Sequence, residues 1–186
     1  LGVEKLNIDN TYYKGKLGYD LAATNYALHV GSDAWYKNRK GVLESFKFAC
    51  ENQESLVQKL VFVGPKIQPH ELNSVLDKWL TKNYNKTIFL SNITELELQV
   101  LYQNAKLLVF PSFIEGFGWP PLEAHINNCP SVTSKTGAIY EILKDSALYA
   151  NPNNQVELNH LVYSNLLNIR KSDFNKPLPT DEKCAK

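Results

Sequence analysis

The sequence contains no methionine and only three cysteines, Cys50, Cys129 and Cys184, with no CxxC pair among them. So few cysteines, odd in number and without metal-ligand spacing, argue against a disulfide framework or a structural zinc site and favour reduced thiols in a cytoplasmic protein. No stretch approaches the roughly 18 apolar residues that a membrane span needs, and residues 1–20 are too polar for a signal peptide. Because the chain begins at Leu1, we expect it to be part of something longer.

Charge of one sign is not in excess either, since 20 lysines and arginines balance 19 aspartates and glutamates. A net charge of +1 provides no excess of positive charge that would attract duplex nucleic acid or an anionic membrane. The 186 residues, 44% of them hydrophobic, are enough to bury one hydrophobic core without disulfides or a structural metal. The composition therefore predicts a single soluble globular domain.

Several common catalytic motifs are missing as well. The chain has no P-loop GxxxxGK[ST], no GxSxG nucleophile elbow and no HExxH zinc motif. The glycines of Gly116-Phe117-Gly118 are followed by Pro121, where a dinucleotide-binding GxGxxG needs its third glycine. No Asp-x-Asp pair is present to hold a metal-bound diphosphate. These absences disfavour P-loop ATP hydrolysis, dinucleotide redox chemistry and a metal-held diphosphate.

The chain does contain a regular alternation of short apolar runs and longer amphipathic runs, which follows a polar lead-in over residues 1–25. Strands are predicted at 26–30, 60–63, 87–90, 107–110, 131–133 and 148–150, and helices at 39–52, 69–79, 94–104, 121–127, 139–143 and 156–170. Short continuous apolar strands suit a parallel sheet that helices cover on both faces. We therefore predict an α/β fold with a doubly wound, Rossmann-like parallel sheet over 26–170 and a flexible tail over 171–186.

Ligands of such sheets bind outside the carboxyl ends of the strands, and the most informative loop there lies in 107–123, LLVFPSFIEGFGWPPLE. Gly116 and Gly118 allow the backbone to approach a ligand closely, and the N–H groups of the next helix start suit a phosphate. Glu115 and Glu123 would repel phosphate, but they can accept hydrogen bonds from the hydroxyls of a sugar and a ribose. Taken singly, Glu115 is more typical of a solvated loop carboxylate and Glu123 of one that stabilises a helix start, and only their joint pattern with the glycines and prolines is specific.

This loop resembles the E-x7-E signature of the group 1 retaining glycosyltransferases, which have the two-domain GT-B fold. The similarity runs from about Tyr26 to Pro152. HVGSDAWYKNRKGVLESF resembles the family's first strand, glycine turn and basic segment, and LVFVGP its second strand. TIFLSNITELELQVLYQNAKLLVFPS and EGFGWPPLEAHINNCPSVTSKTGAIYEILKDSALYANP resemble the region before the signature and the signature block itself. The chain is thereby identified as the C-terminal, donor-binding half of such an enzyme.

The resemblance implies a role for each matching residue. Glu115 would act beside the transferred sugar, and Lys37 would neutralise the leaving diphosphate. The donor would be bound by Gly31, Ser32, Arg39, Leu90, Ser91, Gly116, Phe117, Gly118 and Glu123, with the ribose on Glu123 and the diphosphate on the N–H groups of Phe117 and Gly118. A fixed cation and a helix N-terminus can stabilise a leaving phosphate, so no metal site and no cofactor are expected.

The sequence departs from the family pattern at four positions. Ser32 stands where many members have an arginine, so one phosphate-binding cation is either missing or supplied by Arg39. Ser91 and Asn128 replace glycines, and His125 replaces a methionine. The change at Asn128 is mild, because asparagine tolerates the left-handed backbone conformation.

The implied function is the donor-binding domain of a retaining, metal-independent glycosyltransferase that moves a sugar from a nucleoside-diphosphate sugar to a glycan, polysaccharide or lipid acceptor. Its partners would be that donor and a missing N-terminal acceptor-binding domain, without which the domain would be inactive and through which it could associate peripherally with a membrane. The alternative is a non-catalytic nucleotide-sugar-binding module. The sugar, the base, the acceptor and the oligomeric state stay open. No histidine has a predicted partner.

Overall fold

The computed structural model describes residues 21, 23–53 and 57–168. One parallel sheet holds six strands in the order β3-β2-β1-β4-β5-β6, namely β1 (Tyr26–Val30), β2 (Lys59–Val63), β3 (Thr87–Leu90), β4 (Leu107–Phe110), β5 (Ser131–Thr133) and β6 (Leu148–Tyr149). The helices between and after the strands are α1 (Arg39–Asn52), α2 (Ser74–Lys82), α3 (Glu95–Asn104), α4 (Trp119–Ile126), α5 (Ile139–Leu143) and α6 (Gln155–Asn168). The predicted α/β doubly wound fold is confirmed.

Two hydrophobic cores lie on opposite faces of the sheet, because successive residues of a strand point to opposite sides. Ala27 and Leu60 pack with α1, α2 and α6 on one face. Leu28 and Val61 pack with α3, α4 and α5 on the other. This double coverage explains why the strands are continuous apolar runs rather than alternating ones.

The topological switch of the sheet lies at β1, which pairs with β2 on one side and with β4 on the other. A crevice forms at such a point, between the loops that leave the carboxyl ends of the two strands. The backbone continues the ladder just beyond the strands, since Gly31 N donates to Val63 O at 3.0 Å and Gly64 N to Leu90 O at 2.8 Å. The crevice is therefore bordered by the β1–α1 and β4–α4 loops.

The predicted helix over 69–79 is wrong in its first half. The structure has a 3₁₀ turn at Pro69–Glu71, and α2 begins only at Ser74. Asn73 precedes it, and its Oδ1 accepts a hydrogen bond from Leu76 N at 2.9 Å. An asparagine side chain that caps the backbone in this way starts a helix rather than continuing one.

Helix α4 begins two residues before the predicted start at Pro121, with Gly118 as its N-cap at φ 83°. Both following prolines lie in the first turn, where the backbone N–H groups have no intrahelical acceptor to lose. As a consequence Glu123 lies in the second turn of α4 and not in the first.

The predicted lead-in and tail lie almost wholly outside the described residues, so both stay predictions. Leu21, within that lead-in, is buried in the core that α3, α4 and α5 cover. Within the part of the chain that the structure describes, the helices are all too short or too polar to span a bilayer.

Candidate functional site

The two side chains with implied catalytic roles form an ion pair in the crevice. Lys37 ends the 3₁₀ turn Trp35–Lys37 after β1, and Glu115 lies in the loop after β4. Lys37 Nζ lies 2.7 Å from Glu115 Oε2, and the two side chains are only 14% and 13% exposed. The ammonium also lies 5.1 Å from the ring centroid of Phe110 and 5.5 Å from that of Tyr36. The crevice thus holds a cation and a carboxylate that are both largely shielded from water.

Asn38 fixes the turn that carries Lys37. Its backbone is left-handed at φ 52°, and its side chain donates to Pro111 O at 3.2 Å and accepts from Gly41 N at 3.1 Å. In addition, Phe113 N donates to Tyr36 O at 2.8 Å. These bonds tie the β1–α1 turn directly to the β4–α4 loop, so the ion pair sits on a rigid support.

The second carboxylate of the predicted site, Glu123, is held by a residue that the sequence analysis missed. Tyr102 on α3 is buried, and its hydroxyl donates to Glu123 Oε2 at 2.9 Å. Burial first, and then the neighbouring Glu123 carboxylate, raise the pKa of Tyr102 far above its ordinary value, so the hydroxyl stays a donor. The available signal was a tyrosine beside Leu101 in a buried stripe, because a buried tyrosine hydroxyl usually needs a partner.

The glycine loop between the two glutamates rests on the β5–α5 turn. Gly118 is left-handed, and a Cβ there would lie 2.3 Å from Ile139 Cγ1, whereas a Cβ on Gly116 would meet open space. Gly137, at φ 57°, packs so tightly that its Cβ would lie 2.2 Å from the carbonyl oxygens of Glu115 and Gly116. Ala138 N also donates to Gly116 O at 3.0 Å. Gly137 is a second supporting residue that the sequence analysis missed.

The N-terminus of α4 follows directly on this loop, and Trp119 is the only residue of its first turn with a backbone N–H, because Pro120 and Pro121 have none. No side chain caps that end, where Gly118 is the N-cap and Phe117 precedes it. The first N–H groups of a helix carry a partial positive charge and have no intrahelical acceptor. Lys37 and the N–H groups of Phe117, Gly118 and Trp119 are the donors that this part of the crevice would offer to an anion, as the sequence predicts.

The remaining predicted donor residues are more scattered. The Arg39 guanidinium is buried, donates to Pro65 O and lies 3.7 Å from the Glu71 carboxylate. Its partners therefore belong to the loop after β2 and not to the Lys37–Glu115 pair, and burial lowers its pKa. Ser32 and Ser91 are exposed at the carboxyl edge, while Leu90 is buried in β3. Their roles in donor binding stay predictions.

His29 in β1 is a further residue for which the sequence offered no role. Its ring is fully buried beside Phe62 and Phe110, with centroids 5.3 and 6.0 Å away. Nδ1 donates to Val109 O at 2.9 Å. Desolvation lowers the pKa of His29 to about 4, although the bond to Val109 opposes the shift. His29 is therefore neutral at pH 7, directly beneath the turn that carries Lys37.

We expect His29 to make the protein less stable in mild acid. Between pH 6.5 and 4 the unfolded chain binds a proton at His29 that the folded chain does not, so stability is full above pH 6.5 and falls below it. The loss by pH 4 is about 3 kcal/mol in the free energy of unfolding. Urea titrations at pH 7, 5.5 and 4.5 measure it. His29→Gln should flatten this pH dependence, whereas the control His70→Gln, at an exposed site, should not. If the free energy of unfolding falls with pH equally steeply in wild type and in His29→Gln, the assignment to His29 is contradicted.

Across residues 21, 23–53 and 57–168, no cluster of three or more histidine, cysteine, aspartate or glutamate side chains is placed to hold a metal ion. The expectation that the reaction needs no metal stays a prediction.

Comparison with known protein families gives a match to the model described as glycosyl transferases group 1, over residues 22–173. The chain is 42% identical over 131 residues to the O-antigen chain mannosyltransferase RfbU of Salmonella typhimurium, an alignment of 70% of this chain and 35% of that protein. It is 29% identical over 136 residues to O-antigen chain mannosyltransferase B of Escherichia coli, covering 73% and 35% of the two chains. The aligned regions thus span about a third of the length of these relatives.

Solved structures share the fold at low sequence identity. Apo OtsA superposes with a TM-score of 0.71 at 12% identity, covering 90% of this chain and 41% of OtsA. The C-terminal domain of LpcC, a glycosyl transferase group 1 family protein from Francisella tularensis, gives a TM-score of 0.63 at 18% identity and covers 90% of both chains. The fold of this chain therefore corresponds to the C-terminal half of a GT-B protein.

Proposed function

The chain belongs to the group 1 glycosyltransferases. From this premise we propose that it is the donor-binding domain of a retaining, metal-independent glycosyltransferase. The observation that carries the proposal is the shielded ion pair of Lys37 and Glu115, 2.7 Å apart. The pair lies beside the glycine loop and the uncapped start of α4.

The donor would bind with its diphosphate in the cationic part of the crevice. Lys37 Nζ and the N–H groups of Phe117 and Gly118 supply charge and hydrogen-bond donors there. Glu123 is held through one oxygen by Tyr102, which leaves its other oxygen to accept from the ribose hydroxyls. Glu115, which is paired with Lys37 when no donor is bound, would exchange that contact for the hydroxyls of the sugar.

Transfer would break the bond between the anomeric carbon and the phosphate oxygen while the acceptor hydroxyl oxygen attacks on the same face. The acceptor proton passes to the departing phosphate, so charge and protons balance without an added base. Lys37 and the α4 N-terminus stabilise the negative charge that develops on the phosphate. The Glu115 carboxylate stabilises the positive charge that develops at the anomeric carbon.

We propose mannose as the transferred sugar and a polysaccharide as the acceptor, because two relatives of this chain are named O-antigen chain mannosyltransferases. Acceptor recognition would then depend on a further domain, since those relatives are about three times longer than the aligned region. A cytoplasmic location belongs to the same proposal.

Calorimetric titration of the chain with UDP, GDP, ADP and their mannose and glucose conjugates tests donor binding. We expect one nucleotide to bind selectively, with or without EDTA. Glu123→Gln should weaken that binding by about 10-fold, because the neutral amide accepts a weaker hydrogen bond than the carboxylate does. Glu51→Gln, an exposed carboxylate on α1, is the matched control. If Glu123→Gln and wild type bind the nucleotide with equal affinity, the ribose does not bind to Glu123.

Tyr102→Phe should weaken binding of the selected nucleotide about 3- to 10-fold, because Glu123 loses the hydrogen bond that orients it. Binding of the 2′,3′-dideoxy nucleotide should hardly change, since it offers no ribose hydroxyl to Glu123. Tyr26→Phe is the control, because the Tyr26 hydroxyl is equally buried and donates to Leu101 O at 2.6 Å, away from Glu123. If Tyr102→Phe and Tyr26→Phe both weaken binding of the nucleotide and of its dideoxy form to the same extent, Tyr102 stabilises the fold and does not orient Glu123.

A further inference from the structure

A cavity of about 640 Å³ opens at the carboxyl edge of the sheet, beside the crevice that holds the ion pair. The turn after β1, the first turn of α1, the segment His70–Glu71, Phe113 and the loop before α6 form its walls. It therefore lies toward the face that α1 and α6 cover, whereas Glu123 and Tyr102 lie on the helices of the opposite face. Lys37, Glu115 and Glu123 are not among its lining residues. Of the residues predicted to bind the donor, only Arg39 lines the cavity, so the cavity adjoins the proposed donor site without including the Lys37–Glu115 pair or Glu123.

An aromatic platform forms one wall of this cavity. Trp35 is 73% exposed and stacks on Phe113, with ring centroids 6.1 Å apart and planes 28° from parallel. A large indole exposed to this degree offers an apolar face to a ligand. Both residues come from loops at the carboxyl ends of β1 and β4, where the fold places its ligands.

The polar groups around the platform carry both signs of charge. Asp33, Glu44 and Glu71 contribute carboxylates, while Arg39 and Lys40 contribute cations. Lys40 and Glu44 are only loosely paired, at 4.0 Å, so both remain able to bind a ligand. Carboxylates accept from hydroxyls and ammonium groups donate to them, and a sugar hydroxyl can do either.

The same cavity is unsuited to a phosphate. The two helix starts that border it are already capped, because Gly41 N donates to Asn38 Oδ1 and Glu157 N to Asn154 Oδ1, each at 3.1 Å. Those N–H groups are therefore not free to hold an anion. Three carboxylates in the walls would also repel one. What fits is a neutral ligand with many hydroxyls and one apolar face.

We propose that this cavity is a carbohydrate subsite that holds saccharide units of the acceptor chain. The inference rests on the proposed function, since a glycosyl transfer supplies the reason for a glycan at this place. Trp35 and Lys37 belong to one 3₁₀ turn, and Phe113 N donates to Tyr36 O within that turn. A glycan on the platform would therefore lie one turn away from the point of transfer and would hold the acceptor chain beside it.

Fluorine NMR of the chain labelled with 5-fluorotryptophan tests the subsite, because the three tryptophans report on three places. Trp35 lies in the cavity, Trp119 follows the glycine loop, and Trp79 packs against the core. Each resonance is assigned by a Trp→Phe substitution. We expect mannotriose to shift the Trp35 resonance saturably and to leave Trp79 unchanged, and the nucleotide selected by calorimetry to shift Trp119.

The double variant Asp33→Asn, Glu44→Gln should weaken the mannotriose-dependent shift of Trp35 at least 5-fold, while Glu51→Gln should leave it unchanged. An unchanged Trp79 resonance shows that each variant is folded. The proposal is overturned if mannotriose, cellotriose and maltotriose leave Trp35 unmoved, if they shift only Trp119, or if the double variant binds as wild type does. Failure of the nucleotide to bind while the Trp35 shift persists would overturn the proposed function and leave the subsite standing.

Discussion

Lys37→Met should reduce glycosyl transfer by about 10²- to 10³-fold in the full-length enzyme, the usual cost of removing one preorganised charge from a developing oxyanion. We expect a large effect because the Lys37 side chain is only 14% exposed and its ammonium is already held by Glu115. A cation held in a shielded place acts on a nearby phosphate more strongly than a solvated one. Steady-state transfer with saturating donor measures the effect on kcat.

Glu115→Gln should reduce transfer by a similar factor and yet leave binding of the nucleoside diphosphate as tight or tighter. The reason is that, in the proposed site, Glu115 would compete with the diphosphate for Lys37, with which it pairs in this structure. Calorimetry with the diphosphate alone separates this variant from Lys37→Met, which should bind it more weakly. These opposite effects on binding distinguish a competing carboxylate from one that merely supports the fold.

Lys47→Met is the control for both variants, because it removes a comparable lysine that pairs with Glu51 on the surface of α1. Such exposed pairs contribute little to stability, so transfer and binding should stay at the wild-type level. Wild-type transfer in Lys37→Met and Glu115→Gln would contradict the assigned roles. Intact nucleotide binding without any transfer by the complete wild-type protein would instead favour the non-catalytic binding module.

Gly137→Ala should destabilise the chain by about 2–4 kcal/mol, which corresponds to a decrease in Tm of about 4–16 °C for a domain of this size. A Cβ at this left-handed position would lie 2.2 Å from the carbonyl oxygens of Glu115 and Gly116, so the glycine loop must move away. Because that loop carries the predicted diphosphate contacts, nucleotide binding should weaken at least 10-fold as well. Thermal unfolding and calorimetry measure the two effects.

Gly116→Ala is the matched control for stability, since a Cβ on Gly116 would meet nothing within 4 Å. Its Tm should stay close to that of the wild type, as for an ordinary surface substitution. Similar losses of stability in Gly137→Ala and Gly116→Ala would show that the β5–α5 turn does not support the loop.

Much of the fold could be predicted because local pattern and tertiary structure agree. The run RKGVLESFKFACEN forms α1 within its predicted bounds, and TIFL and LLVF form β3 and β4 as predicted. Asn128, which stands where the family has a glycine, adopts the left-handed conformation as expected, with φ 55°. The first half of the helix predicted over 69–79 was wrong because Asn73 fits a helical periodicity but caps the following helix instead.

The supports of the site could not be predicted in the same way, because they depend on contacts between distant segments. Glu115 and Lys37 were both expected from the family resemblance, but nothing in a linear sequence places their charges 2.7 Å apart. Tyr102 lies 21 residues before Glu123 on a different helix. Gly137 is required by the carbonyl groups of another loop, which only the folded chain brings to it.

A crystal structure of this chain with its selected nucleoside-diphosphate sugar tests the central claim most directly. The account predicts that the diphosphate contacts Lys37 Nζ and the N–H groups of Phe117 and Gly118, with the ribose on Glu123 and the sugar on Glu115. A donor bound elsewhere, or a diphosphate in the crevice with the ribose far from Glu123, would contradict it.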